Sequence, residues 1–424
     1  MNMNFLKLHK NNDPVIDKYR TCNAVITITD SGKPLANAEI EISQIGHKFF
    51  FGTNGFHTLS IPNDSLYSIM SHGEKSLTES IADKMLDLFN LITLPFYWGR
   101  FEEKQGSPIT DIILNSARWL NEKGCKVKGH PLCWHTLSPD WLLAMSEEDI
   151  LSTQLERITR EVTNFKGIID IWDVVNEAVI MPIFDKYDNG ITRICKKYGR
   201  IQTIKKTFDA ARKSNPNATL LLNDFDLSTA YEILIEGCLE SGIKIDVIGL
   251  QTHMHQGFMG IEKLEHILET YSRFDLPLHF TEATIISGDL MPSHIVDLND
   301  FQVDDWPSTS EGEERQAEEV VSFYKTLFSH PKVEAITWWD IKDGAWLKAP
   351  SGLIRKDASP KPAYNELMKL IKDEWWCKPA GLKTDSQGRI FINGFLGNYK
   401  IAINDRHSSF ILDKAGETPL SLSV

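Results

Sequence analysis

The stretch IIDIWDVVNE, Ile168 to Glu177, is a short apolar run without helical spacing that stops abruptly on two polar residues, Asn176 and Glu177. Such a run reads as a strand buried on both faces, as in a parallel sheet. Seven further runs share the pattern: HKFFFGTNG, DLFNLITLPF, CKVKGHPLCW, ATLLLNDF, IDVIGLQTH, PLHFTEA and EAITWWD, centred near Phe50, Leu91, Lys128, Leu221, Ile248, Phe280 and Trp338. Between them lie segments such as ESIADKMLDLF, DIILNSARWLNEKG and GEERQAEEVVSFYKTLF, with apolar residues three and four apart and Gly124 placed to stop one helix. Eight alternating strand and helix units predict an α/β fold closed as a (β/α)8 TIM barrel. No self-similar period of solenoid or propeller length is present.

A barrel needs roughly 250 residues, so a chain of 424 has a surplus for small additions. Residues 22–44 read as two strands about the turn Asp30-Ser31-Gly32-Lys33-Pro34, and residues 380–424 as several short alternating strands. The two ends are expected to pair in one small β-rich module, giving an N-terminal segment 1–45, a catalytic barrel 46–375 and a C-terminal segment 376–424.

Charge narrows the partners. A formal net charge of -13 with no Lys/Arg cluster argues against nucleic acid. No apolar run approaches the roughly 20 residues that span a bilayer, so no membrane is expected. Cys22, Cys125, Cys133, Cys195, Cys238 and Cys377 are too scattered for a disulfide framework and read as free thiols. The first twenty residues lack an apolar core followed by a small-residue cleavage site, which is expected of a cytoplasmic protein taking short, imported substrates, or of a secreted one whose export signal has been removed. The sequence sets no oligomeric state.

In a (β/α)8 barrel the strand carboxyl ends form the active face. Nearly every strand here ends in polar groups: Asn176 and Glu177 on the fourth, Thr281 and Glu282 on the seventh, His130 and His135 on the third. Gln251, His253 and His255 close the sixth, Asn223 and Asp224 the fifth, Trp339 and Asp340 the eighth. One strand-end Glu serves equally well as a loop cap. Two on opposing strands supply the acid and the carboxylate of glycoside hydrolysis. Trp98, Trp134, Trp339 and Trp346 lie at or near strand ends, where aromatic faces stack on sugar rings; Trp172, inside its strand, is expected to fill the barrel.

Together WDVVNE (Trp172 to Glu177), GHPLCWH (Gly129 to His135), GLQTH (Gly249 to His253) and FTE (Phe280 to Glu282) resemble glycoside hydrolase family 10, in the family's order. AITWWDIKDGAWL and GLIRKDASPKPAY resemble the family's eighth strand and closing segment, so the likeness covers most of residues 46–372. The resemblance implies a retaining hydrolase of β-1,4-linked xylan or xylo-oligosaccharides with no cofactor and no metal. Glu177 would be the acid/base, Glu282 the nucleophile, and Asn176 the partner of the sugar 2-hydroxyl. It further implies sugar contacts from His135, Gln251, Trp339 and Trp346, with His253 orienting the nucleophile. Trp98, which keeps the family spacing, and Asn223, at the end of the fifth strand, complete the candidate substrate contacts.

The likeness fails after the second strand. Family members carry a Glu-Asn pair and then Lys-Trp, whereas ITLPFYWGRFEEKQG is two residues short and places Pro95, Phe96 and Tyr97 there. Asp340 replaces a Gly after Trp339, and Thr284 an Asp beyond the nucleophile. The groups that grip sugar on the non-reducing side are therefore altered, which keeps open a β-glycosidase acting on a non-xylan or decorated glycan. Two rivals stand outside this class: a metallohydrolase using His130, Cys133, His135, His253 and His255, and a glycan-binding barrel without turnover. The loop from Ile285 to Glu314 is long enough to be a lid or a binding wall.

Overall fold

The computed structural model describes residues 4–424. Eight parallel strands close a barrel: β1 (Phe50–Asn54), β2 (Leu91–Pro95), β3 (Lys126–His130), β4 (Ile171–Asn176), β5 (Thr219–Asp224), β6 (Val247–Met254), β7 (Leu278–Ile285) and β8 (Val333–Trp338). All eight apolar runs read from the sequence are these strands. Their residues are buried on both faces, β7 along its entire length, because helices cover the outside and side chains fill the inside.

Local chemistry sets the helix boundaries. Ser71 and Glu74 form a reciprocal capping box at the start of His72–Leu88, and Ser146 caps Glu147–Asn164. Gly124 takes φ +86° just beyond Thr110–Glu122, a conformation that ends a helix at little steric expense for glycine.

Register is what positions the site. Asn176 of β4 pairs with Asn223 of β5, and Gln251 of β6 pairs with Glu282 of β7 beyond a register shift at Leu250/Gln251. Polar ends of four successive strands thus reach one level. Two glycines permit the close approach. A Cβ on Gly129 would sit 2.2 Å from the Trp172 ring, and one on Gly249 would sit 2.4 Å from Asn223 Oδ1. Trp172 is fully buried and fills the barrel, as its place inside a strand predicts.

The chain divides into two compact units. One, Phe51–Gly312 with Ala335–Ser359, carries the barrel's active face. The other takes the chain up to Phe50 together with Glu313–Glu334 and Pro360–Val424. It includes most of the helix Ser310–Ser329 and all of Pro362–Lys369, so it reaches past the segment limits drawn at 45 and 376.

Both sheets of that second unit mix the two ends of the chain, as expected of a module built from both. One sheet orders Leu6–Lys7, Arg389–Phe395, Thr21–Asp30 and Gly416–Ser423; the other orders Ala380–Lys383, Glu39–His47, Gly397–Ile403 and Arg406–Leu412. The expected hairpin over residues 22–44 is corrected in detail. Thr21–Asp30 turns back only onto the two-residue strand Lys33–Pro34, and Glu39–His47 joins the other sheet. The turn signal at Asp30 to Pro34 is real, but alternation in Glu39–His47 carries no information about which sheet it enters.

Candidate active site

Glu177 follows β4 directly, in the left-handed backbone region at φ +58°, with its N–H donated to Asn223 O at 2.8 Å. Its carboxylate accepts from neutral donors: Trp134 Nε1 on Oε2 at 2.7 Å and Asn176 Nδ2 on Oε1 at 3.2 Å. His135 Nε2 lies 4.0 Å from Oε2. Burial, reinforced by the negative charges of Glu282 and Asp224, lifts its pKa to about 8 against the donation from Trp134 and Gln251. Asp224, bonded by the Val179 and Asp226 amides, is itself pushed by burial up to about 7. His135 is driven by burial down to about 4, so near neutral pH it faces Glu177 uncharged.

Glu282, on β7, meets two imidazoles. His253 Nε2 lies 3.3 Å from Oε2 and His130 Nε2 3.8 Å from Oε1, while Asn223 Nδ2 donates to Oε1 at 3.1 Å. Burial alone would raise this carboxyl, but His130, His253 and Lys128 outweigh it and hold the pKa below the ordinary value. Behind His130 stands a buried ion set: Asp173 Oδ2 is 2.7 Å from His130 Nδ1 and 2.8 Å from Lys128 Nζ. Burial opposes the charge on Asp173, yet Lys128 and His130 bring its pKa down to about 2.

A run of side-chain amides joins the two carboxylates. Asn176 bonds Glu177 and accepts from Asn223 Nδ2 at 2.7 Å and Gln251 Nε2 at 3.0 Å. Asn223 Oδ1 accepts the Thr281 hydroxyl at 2.5 Å. Glu177, Asn176, Asn223 and Glu282 are therefore one connected set. The aromatic candidates flank it. Trp346 lies with its ring 4.7 Å from His253, and Trp339 lies 5.3 Å from His130 and 5.4 Å from Phe56.

Eight of the ten candidates, Glu177, Glu282, Asn176, Gln251, His135, His253, Trp339 and Trp346, come together at this mouth. Two are placed differently. Asn223 is fully buried with its amide engaged by Asn176, Glu282 and Thr281, so it bonds to the carboxylate set from within. Trp98 opens the turn Trp98–Phe101 and faces inward: its indole donates to Glu102 Oε2 at 3.1 Å and the Arg157 guanidinium sits 4.9 Å over its ring.

Tyr97, one residue earlier, is the side chain that reaches the mouth, 5.5 Å from Trp134 and 5.6 Å from His130. Burial and the charges of Glu282, Asp340 and Glu177 keep its hydroxyl protonated. Asp340 is a third carboxylate here, buried and bonded by Asn54 Nδ2 and the Trp346 amide, with its pKa raised by burial. The Lys128–Asp173–His130 set was also missed as part of the site. A signal existed: charged Lys128 and His130 alternate within an apolar strand, which with a period of two puts them on one face.

A barrel with two carboxyl groups of opposite protonation at the carboxyl ends of β4 and β7 has the arrangement of the two-carboxylate glycoside hydrolases. Residues 79–370 match the family model for glycosyl hydrolase family 10. The chain belongs to that family.

Its relatives are distant. Endo-1,4-beta-xylanase B of Thermotoga neapolitana is 26% identical over 267 residues, 58% of this chain and 70% of that protein. The anti-sigma-I factor RsgI6 of Acetivibrio thermocellus is 25% identical over 405 residues, 92% of this chain but only 45% of its own length. Among solved structures, xylanase 10B from Thermotoga petrophila RKU-1 in complex with xylobiose shares the fold with a TM-score of 0.62 at 21% identity, covering 77% of this chain and 94% of that one. Among the described residues no helix is long and apolar enough to cross a membrane.

Proposed function

We propose that this chain is a retaining glycoside hydrolase acting on β-1,4-linked xylan or xylo-oligosaccharides, with Glu177 as acid/base and Glu282 as nucleophile. The observation that carries the reading is the opposite shift of the two carboxyls, one raised to about 8 and the other held low. Divergent pKa values in a carboxyl pair assign the acid and the base.

In the first step Glu282 attacks the anomeric carbon as Glu177 passes its proton to the departing glycosidic oxygen, leaving a glycosyl ester on Glu282. Glu177, now ionised, takes a proton from water, whose oxygen attacks the same carbon and frees Glu282. Asn176 meets the sugar 2-hydroxyl; His135, Gln251, Trp339 and Trp346 supply further sugar contacts, and His253 orients Glu282. The catalytic machinery lies in the barrel, and the β-rich sheets built from both chain ends are the accessory module. The xylan preference is supported by the likeness to endo-1,4-beta-xylanase B, while Tyr97 and Asp340, which depart from the family pattern, favour a non-xylan or decorated glycan.

The test is Glu282→Ala. It loses activity by a factor on the order of 10⁵, and azide restores turnover with a glycosyl azide of inverted anomeric configuration, read by NMR. A variant as active as the parent ends the assignment.

A second reading rests on Pro95, Phe96 and Tyr97 standing where the family carries its Glu-Asn and Lys groups, so that the sugar-gripping groups on the non-reducing side are changed. On that reading the barrel binds glycan without turning it over. Parent protein that binds xylohexaose and releases no product from it would establish this alternative.

A further inference from the structure

The loop after β7 is a packed body. Ile286, Met291, Trp306 and Ala349 are buried in an apolar cluster of their own, with Leu298 and Phe301 packed against it. Trp306 Nε1 donates to Asp289 O at 2.8 Å, closing the loop on itself, and Met291 N donates to His255 O at 2.9 Å, tying it to the end of β6.

From this footing the segment 297–300 reaches both flanks of the carboxylate pair. On the nucleophile's flank, Asn299 Oδ1 accepts from Trp346 Nε1 at 3.3 Å, and Trp346 lies against His253, the partner of Glu282. On the acid's flank, Asp297 and Asp300 each hold Lys186 Nζ at 2.6 Å. Lys186 is two residues beyond Phe184, whose ring is 4.4 Å from His135 beside Glu177. An exposed ion pair adds little by itself, so the buried cluster holds the loop and the ion pairs record where it lies.

On this side of the barrel β4 and β7 are separated by β5 and β6. A bridge from the β7 loop to the β4 loop therefore passes over the β5–β6 side of the mouth. A long polymer lying across the pair needs two open exits; a chain end needs one. We propose that residues 291–306 are specificity-determining: they close the β5–β6 end of the cleft, so that the substrates are oligosaccharides and chain ends of a β-1,4-glycan, with its interior excluded. The inference rests on Glu177 and Glu282 being the reacting pair.

The experiment replaces residues 292–304 with a short Gly/Ser linker, keeping Met291 and Trp306, and compares kcat/KM on soluble xylan and on xylohexaose, with viscosity followed against reducing ends. The parent is expected to release reducing ends with little loss of viscosity. The shortened loop is expected to raise the xylan-to-xylohexaose ratio about tenfold and to thin the polymer early. A parent that thins xylan as readily as it cuts xylohexaose, or an unchanged ratio in the variant, overturns the proposal. Should the shortened chain fail to fold, Leu298→Ala with Phe301→Ala, which loosens segment 297–300 from the buried cluster, takes its place: a rise of about threefold supports the bridge, and no rise overturns it. If the parent hydrolyses neither glycan, the catalytic reading has failed separately. The bridge is then judged by binding, where equal affinity per site for xylan and xylohexaose overturns it and preference for xylohexaose supports it.

Discussion

Around Glu177 the donors are the Trp134 indole and the Asn176 amide; around Glu282 they are the Asn223 amide and the His253 imidazole, with the His130 imidazole 3.8 Å away and Lys128 and Asp173 behind it. Burial is common to both and raises both carboxyls. What separates them is the sign of the neighbouring charge: negative at Glu177 from Glu282 and Asp224, positive at Glu282 from His130, His253 and Lys128. One barrel thus holds an acid and an anion within a single amide network.

The comparison breaks most visibly if the acid is neutralised. Glu177→Gln should lower kcat on xylo-oligosaccharides by roughly 10²–10⁴, while an aryl glycoside whose phenol leaves without protonation should lose far less in glycosylation. Equal losses on both substrates would remove Glu177 as proton donor.

On the other side, Asp173→Asn strips the anion from between Lys128 and His130. Leaving that buried charge uncompensated should cost roughly 3–5 kcal/mol in denaturant unfolding near neutral pH. Asp173 titrates at about 2 in the fold against an ordinary value of 3.8. Its stabilising contribution is therefore full above 3.8 and lost as pH falls through about 2, so parent and variant should converge in strong acid. A gap that stays constant down to pH 2 would place the effect elsewhere than in this ion set.

The smallest effect runs the other way. Glu177 moves from an ordinary 4.5 to about 8 on folding, so its contribution is present below 4.5 and lost as pH rises through about 8. Glu177→Gln, permanently neutral, should match the parent at pH 4 and exceed it in stability at pH 9. The same group should set the alkaline limb of kcat/KM near pH 8, with the acid limb, from Glu282, below the usual carboxylate range. Identical melting curves at both pH values would contradict the shift.

Much of this was legible from residues alone because it is local. Period and length expose a buried strand, and a polar residue at its carboxyl end is an active-face residue in a barrel, which is how Glu177 and Glu282 stand out. What escaped depended on three-dimensional pairing. Trp98 and Tyr97 differ by one position, and a four-residue helical turn beginning at Trp98 decides which of them faces the mouth. Nothing in the sequence shows that Asn223 has three partners on β4 and β7. The strand Glu39–His47 alternates as expected, yet its partners Ala380–Lys383 and Gly397–Ile403 lie hundreds of residues away.

The left-handed backbone of Glu177 has a consequence for how this barrel can be altered. A non-glycine residue at φ +58° carries conformational strain that the surrounding hydrogen bonds must hold in place. Alanine or glutamine put there inherits that strain, while glycine or asparagine relieves part of it. With Glu177 as the proposed proton donor, selection for a tougher scaffold alone would thus tend to replace it, which sets durability against chemistry at this one position.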